Sequence, residues 1–282
     1  MLTQEQRDFL FPKAYNAALR AGAAILRIYE KGADEYEVTI KSDHTPLTEA
    51  DSRAHNIIKD YLGRTHVPLL SEEGREMLYK ERVGWDLYWM VDPLDGTKEF
   101  IKGNGEFTVN IALMSDNRPV LAVVYVPYLG KMYFAGQGRG SFLRESVFPE
   151  DDAEYTIGEM MDGATALPVA KRMNEPLRAA VSRSHNTPET FHVLDSMRGK
   201  YPDMEVIYQG SSYKFGMLAE GAVDYYIRTT PTMEWDTAAG ELVLELAGGS
   251  TLSYPGGVPL QYNEESLQNP WFECRSKFMP KE

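Results

Sequence analysis

Apolar positions recur at helical spacing through the first thirty residues. Tyr15, Ala18, Leu19, Gly22, Ile25, Leu26 and Tyr29 share one face, which predicts a long helix over residues 4–29. A strand-like run at 36–40 follows, then the polar loop Lys41-Ser42-Asp43-His44-Thr45-Pro46, then a second helix near 49–62. Residues 67–70 read as a short strand ending at Ser71-Glu72-Glu73, and Leu87-Tyr88-Trp89-Met90-Val91 as another. The runs at 107–113, 119–126 and 131–135 are β-rich and punctuated by Gly, Pro and Asn, so they predict consecutive antiparallel strands.

The pattern changes after the acidic loop Pro149-Glu150-Asp151-Asp152. Strand-like runs at 179–182, 204–208, 223–228 and 249–254 alternate with helical runs at 188–197, 212–220 and 237–247. That alternation is the α/β texture of a layered sheet-and-helix unit. It places a boundary near residue 165, between an N-terminal α+β domain (1–165) with an antiparallel sheet and a C-terminal α/β domain (166–282). There is no repeat, and the stretch 151–162 carries no recognisable motif.

Composition narrows the function. The formal charge is −13, from 29 basic against 42 acidic residues, which argues against general nucleic-acid binding. Local cations can still reverse the field for a phosphate ester, so a small-molecule partner remains open. The single cysteine, Cys274, excludes an intramolecular disulfide and fits a reducing compartment. It lies in what reads as a polar tail with no metal-binding partner motif, and so as a structural or incidental thiol. The N-terminus lacks the basic-then-apolar pattern of a signal peptide, and no run is apolar enough to span a bilayer.

The candidate chemistry starts at Asp92-Pro93-Leu94-Asp95-Gly96-Thr97-Lys98-Glu99-Phe100, just past the apolar run at 87–91. Hard divalent cations take carboxylate and carbonyl oxygens, with substrate phosphate completing the shell. Asp92, Asp95 and the Leu94 carbonyl offer such oxygens, and the N–H groups of Gly96 and Thr97 could approach a phosphate. Taken alone, Asp-Pro and Asp-Gly are turn formers. Glu72 repeats the strand-end placement, although adjacent glutamates are ordinarily a solvated loop. Asp236 precedes a helical run, where an N-cap is the plain reading. Thr48-Glu49-Ala50-Asp51 matches a capping box. A sharper reading pairs Asp51 with Thr97: a threonine hydroxyl held by a carboxylate can take a proton from a water acidified by a metal.

Together these strings resemble the lithium-sensitive, Mg²⁺-dependent phosphatase superfamily that includes the inositol monophosphatases, and within it the 3'(2'),5'-bisphosphate nucleotidases. The matching stretches are Lys41-Ser42-Asp43 with 48–51, 70–73, 92–100, 105–113, Ser182-Arg183-Ser184-His185, 210–215 and 235–240. The resemblance implies a layered αβαβα sandwich and two to three Mg²⁺ ions. It implies metal ligation by Glu72, Asp92, the Leu94 carbonyl, Asp95 and Asp236. Asp51 and Thr97 become a water-activating dyad, with Glu72 helping to place the water. Gly96 and Thr97 would hold the scissile phosphate, and Ser184, His185, Ser212, Lys214, Arg228 and Asp236 would surround the nucleotide. The expected activity is removal of the 3'-phosphate of adenosine 3',5'-bisphosphate by a cytoplasmic enzyme, at most peripheral to the inner membrane. The rivals are an inositol or sugar phosphate phosphatase with the same metals and a catalytically silent metal- or phosphate-binding regulator. The haloacid dehalogenase type needs its two aspartates two positions apart, and here they are three apart.

Overall fold

The computed structural model describes residues 2–32, 37–40 and 46–280. The Lys41-Ser42-Asp43 string and the start of the run at 36–40 lie outside the described residues. Helix α1 (Gln4–Tyr29) opens on a capping box: Thr3 accepts from the Gln6 N–H (3.2 Å), and Gln6 accepts from the Thr3 N–H (2.8 Å). A small hairpin, β1 (Val38–Ile40) and β2 (Pro46–Thr48), leads into α2 (Glu49–Leu62).

Seven strands then build the larger sheet in sequential order: β3 (Leu69–Ser71), β4 (Leu87–Asp95), β5 (Thr108–Ser115), β6 (Arg118–Val126), β7 (Lys131–Gly136), β8 (Gly140–Arg144) and β9 (Thr165–Ala166). β3 and β4 run parallel and the remaining pairs antiparallel. Short helices α3 (Tyr79–Arg82), α4 (Thr97–Ile101) and α5 (Ile157–Met161) decorate the connections. Beyond residue 166 come α6 (Pro188–Arg198), α7 (Tyr213–Glu220) and α8 (Glu234–Leu246), with a second sheet of β10 (Arg178–Ser182), β11 (Glu205–Gln209), β12 (Tyr225–Arg228), β13 (Ser250–Ser253) and β14 (Phe272–Arg275). Its order is β11-β10-β12-β14-β13, parallel through β11-β10-β12 and antiparallel beyond.

Strand alternation explains the layering. Along β6, Leu121, Val123 and Tyr125 pack with α1 and α2, while Ala122, Val124 and Val126 face α7 and α8. Both faces of the larger sheet are buried, which is why its strands read as unbroken apolar runs. The far side of α7 and α8 meets Tyr226, Phe272 and Cys274 of the second sheet. The outer face of that sheet packs Ala179, Val181 and Tyr225 against Val193 and Leu194 of α6. The layers therefore run helix, sheet, helix, sheet, helix, as the resemblance implies.

Three details depart from the sequence reading. The stretch taken as a polar tail supplies β14, an interior strand whose Cys274 is buried, with burial pushing its thiol pKa up. Only Phe272 and Cys274 mark it as apolar, too short a signal to register. Helix α8 begins one turn before the expected 237, so Asp236 lies inside its first turn. The motif-free stretch 151–162 ties α1 and α2 together. Arg27 grips both oxygens of Asp151, Arg20 reaches Glu154 (3.0 Å), Tyr61 donates to Glu154 (2.9 Å), and Asn16 exchanges two hydrogen bonds with the Tyr155 backbone.

Gly240 shows how tightly the middle layer is built. A Cβ there would stand 2.5 Å from the Phe215 ring. That ring is held between Tyr226 and Phe272, with centroids 6.0 and 6.1 Å away, and has nowhere to retreat. Ala improves helix propensity by about 1 kcal/mol over Gly, but overpacking a rigid core costs about 1–3 kcal/mol. Gly240→Ala is expected to lower the urea midpoint, a net loss of up to about 2 kcal/mol; a raised midpoint would contradict this packing.

Candidate active site

The site is built by an irregularity in β4. Opposite β5, Asp92 pairs with Asn110 and Asp95 with Thr108, so three steps on β4 match two on its partner. That is a β-bulge. In a regular strand, residues three apart point to opposite faces. Tyr88 and Met90 already face α7 and α8, and Asp92 continues that side. Without the extra residue Asp95 would turn toward α1 and α2. With it, both carboxylates reach the middle layer, and Asp95 accepts from the Ser212 N–H (2.6 Å) just before α7. Residues 93 and 94 are left without cross-strand partners. The Leu94 N–H donates to Asp92 (3.0 Å), and the Leu94 carbonyl has only a long contact to the Thr97 hydroxyl (3.5 Å).

Two more elements converge here. The parallel pairing of β3 with β4 carries Glu72 to the same sheet end, where its N–H donates to the Val91 carbonyl (3.1 Å). The first turn of α8 brings in Asp236, anchored by the Met233 N–H (2.8 Å). Carboxylate oxygens of Glu72, Asp92 and Asp236 lie within 4.8 Å of one another. Asp95 stands beside this trio. Burial and then the charges of Glu72, Asp95 and Asp236 push the Asp92 carboxyl well above the usual range. Burial, then Asp95 and Glu72, do the same to Asp236. Half-buried carboxylates so close together are mutually repulsive unless cations sit among them. An all-oxygen donor set of this kind suits a hard divalent ion.

Asp51 is buried in the first turn of α2. One oxygen accepts from the Thr48 N–H (2.8 Å) and its hydroxyl, as the capping box predicts. The other accepts from the Thr97 hydroxyl (3.0 Å). Asp51 is thus both a cap and the partner of Thr97, so the two readings of this residue coexist. Gly96 precedes α4 with φ +93°, and a Cβ there would meet the Glu106 carbonyl at 2.9 Å, which leaves glycine as the residue that fits.

The same cleft also carries basic side chains: His185, Lys214 and Arg228 line it together with Lys98. Lys214 is buried and donates to the Gln209 (3.0 Å) and Ser211 (2.6 Å) carbonyls, not on a solvated helix face. Burial, then Arg228, lower its pKa to about 8. Among the described residues, the buried Arg228 Nε has no hydrogen-bond partner. Ser212 is committed to structure, its hydroxyl set against Asp95 and the Asp236 carbonyl (2.6 Å), while the neighbouring Ser211 is the less buried serine of the cleft. Ser184 donates to Glu99 and accepts from Lys102 (2.7 Å).

Three contributors escaped the sequence reading of individual roles. Asn110 donates to Ser212 (3.0 Å) and lies 3.4 Å from Asp95; its signal was one polar residue in the apolar run 109–113. Glu99 is buried beneath Ser184. Glu106 clamps Arg183 through both oxygens and accepts from the Gly210 N–H (2.8 Å), joining the α4–β5 connection to the second half of the chain. Neither glutamate could be told from a surface acid without its distant partners.

Among the described residues, no helix is long and apolar enough to cross a membrane. The model of the Inositol monophosphatase family matches residues 6–272. The 3'(2'),5'-bisphosphate nucleotidase CysQ of Escherichia coli (strain K12) is 40% identical over 259 residues, covering 90% of this chain and 95% of that protein. CysQ of Haemophilus influenzae is 34% identical over 258 residues, covering 90% of this chain and 88% of that protein. The crystal structure of CysQ from Bacteroides thetaiotaomicron, described as a bacterial member of the inositol monophosphatase family, superposes with a TM-score of 0.86 at 43% identity, over 96% of this chain and 98% of that one. A Thermotoga maritima IMPase shares the fold at a TM-score of 0.72 and 18% identity, over 98% and 93% of the two chains. Family model, relatives and superposition each extend over nearly the full length, and the chain belongs to the inositol monophosphatase family.

Proposed function

We propose that this protein is an Mg²⁺-dependent phosphatase that hydrolyses the 3'-phosphate of adenosine 3',5'-bisphosphate to AMP and phosphate, with 3'-phosphoadenylyl sulfate as a second substrate. The observation that carries this is that one cleft is lined both by the carboxylates Glu72, Asp92, Asp95 and Asp236 and by His185, Lys214 and Arg228. A substrate with one phosphate at the metals and a second anionic group for the basic side chains matches both sets. The nucleotidase names of the CysQ relatives agree with it. The free, buried Cys274 suits a reducing cytoplasm.

Glu72, Asp92, Asp95, Asp236 and the Leu94 carbonyl would hold two to three Mg²⁺ ions. When bound, these neutralise the phosphate and lower the pKa of the attacking water. The chain itself supplies orientation. Because the Thr97 hydroxyl donates to Asp51, its oxygen lone pairs are left to accept from water, and Asp51 can take the proton onward. The N–H groups of Gly96 and Thr97 address the phosphate oxygens. Water adds to phosphorus as the bond to the ribose 3'-oxygen breaks; the proton the water gives up passes to Asp51, and the leaving oxygen takes one from solvent water and departs as the alcohol.

The deciding experiment is phosphate release with Mg²⁺ from adenosine bisphosphate, phosphoadenylyl sulfate, inositol monophosphate and fructose bisphosphate. The nucleotides should be turned over with the highest kcat/KM; a clear preference for inositol phosphate would replace this reading with that of a sugar-phosphate enzyme. Asp95→Asn should abolish turnover while leaving the circular dichroism spectrum unchanged, and full activity in that variant would sink the metal assignment.

Metal linkage can be seen without activity. Asp92 and Asp236 have raised carboxyl pKa values in the fold, so the folded chain binds protons that the unfolded chain releases. Metal-free protein should therefore lose stability as pH rises from the ordinary carboxylate range (near 3.8) toward neutrality. Mg²⁺ at a hundredfold excess over Kd should restore about 2.7 kcal/mol in thermal denaturation. Asp92→Asn should flatten the pH dependence and blunt the Mg²⁺ response; a wild-type response in that variant would place the ions elsewhere.

Lys214 gives a second pH signature. With its pKa near 8, it loses its charge as pH rises through that value, and KM for the bisphosphate should climb. Lys214→Met should raise KM at neutral pH and remove this alkaline dependence. If the dependence persists in the variant, another group is titrating.

A further inference from the structure

Lys98 follows Thr97 directly and sits in the first turn of α4, so its backbone moves with the phosphate loop. Its side chain crosses the cleft to the loop after β10, where Nζ lies 2.7 Å from Nε2 of His185. An ammonium has donors only. Nε2 of His185 must therefore be the acceptor, and the ring carries its proton on Nδ1. Burial, then Arg228, Lys98, Lys214 and Lys102, push the His185 pKa down to about 4, so at neutral pH it is an uncharged spacer among cations.

The cations around it feel Asp95, Glu99, Glu106 and Asp236 only through space. Among the described residues, no carboxylate lies within ion-pair distance of Lys98, Lys214 or Arg228. Lys102 differs, because Glu99 stands 3.9 Å away and Ser184 occupies its ammonium. Lys98, Lys214 and Arg228 thus form a group of three cations around one neutral ring, an arrangement that attracts an anion.

We infer that Lys98 is a specificity-determining residue: by holding His185 and adding its own charge to those of Lys214 and Arg228, it completes a receptor for the second phosphate of a bisphosphate substrate. This rests on the nucleotidase reading above and deepens it. Because Lys98 also neighbours Thr97, its position fixes the spacing between the scissile phosphate and the distant one. Lys98 is exposed, so its replacement should not endanger folding.

The test compares adenosine 3',5'-bisphosphate with adenosine 3'-monophosphate, which lacks the second phosphate, in wild type, Lys98→Met and Lys98→Arg. Lys98→Met should raise KM for the bisphosphate tenfold or more and shift kcat less than twofold. The monophosphate should lose less than twofold in kcat/KM, and Lys98→Arg should recover most of the bisphosphate KM. An equal loss on both substrates, a fall in kcat at constant KM, or an unchanged KM would each overturn the assignment of Lys98 while leaving the nucleotidase activity standing. Wild-type protein that turns over inositol phosphate but ignores the bisphosphate would instead overturn the proposed activity, and this inference with it.

Discussion

The repulsion among Glu72, Asp92, Asp95 and Asp236 is the constraint on which the rest of the structure depends. Carboxylates at such separation in a partly closed cleft disfavour the metal-free fold, and the burden appears in the raised pKa values of Asp92 and Asp236. The surrounding packing holds them there regardless. Parallel β3 and β4 bring two ends to one edge, the β4 bulge turns Asp95 to the side of Asp92, and α8 is pressed against Phe215 of α7 closely enough to leave no room for a Cβ at Gly240. A dense, jigsaw-like core can impose this electrostatic cost because its elements cannot relax independently. Cations bound among them would convert the cost into affinity.

The second half of the chain answers with opposite charge. Lys214 and Arg228 come from the middle layer and the second sheet, Lys98 from the loop that carries Thr97. Cations and carboxylates in one cleft would neutralise each other if allowed to touch. They are kept apart by committed side chains: Ser212 and Asn110 occupy Asp95, Glu99 takes Ser184, and Glu106 takes Arg183 and the Gly210 N–H. The two kinds of charge are thus kept from pairing by hydrogen-bonding neighbours whose work is structural.

Much of the fold was legible because it depends on periodicity. The 26-residue α1, the two-faced strands β4 to β7 and the alternation after residue 177 carry strong apolar patterns. What escaped was short or context-bound. β14 has two apolar residues in four, and its strand character comes from pairing with β12 and β13. The stretch 151–162 is polar, and its role of tying down α1 and α2 is visible only through partners more than ninety residues away.

The site divides in the same way. Asp92, Asp95, Gly96 and Thr97 are adjacent in sequence, and residue type with spacing sufficed to suggest metal and phosphate chemistry. Glu72, Asp236 and Asp51 could be nominated individually, each with a local explanation as loop or cap. Sequence by itself determined which groups could bind a cation, because that is a property of side-chain oxygens. Tertiary structure decided that they would meet, because the meeting depends on strand phase: one inserted residue in β4 sends Asp95 to the face of Asp92, and no local property of either aspartate encodes which face that is.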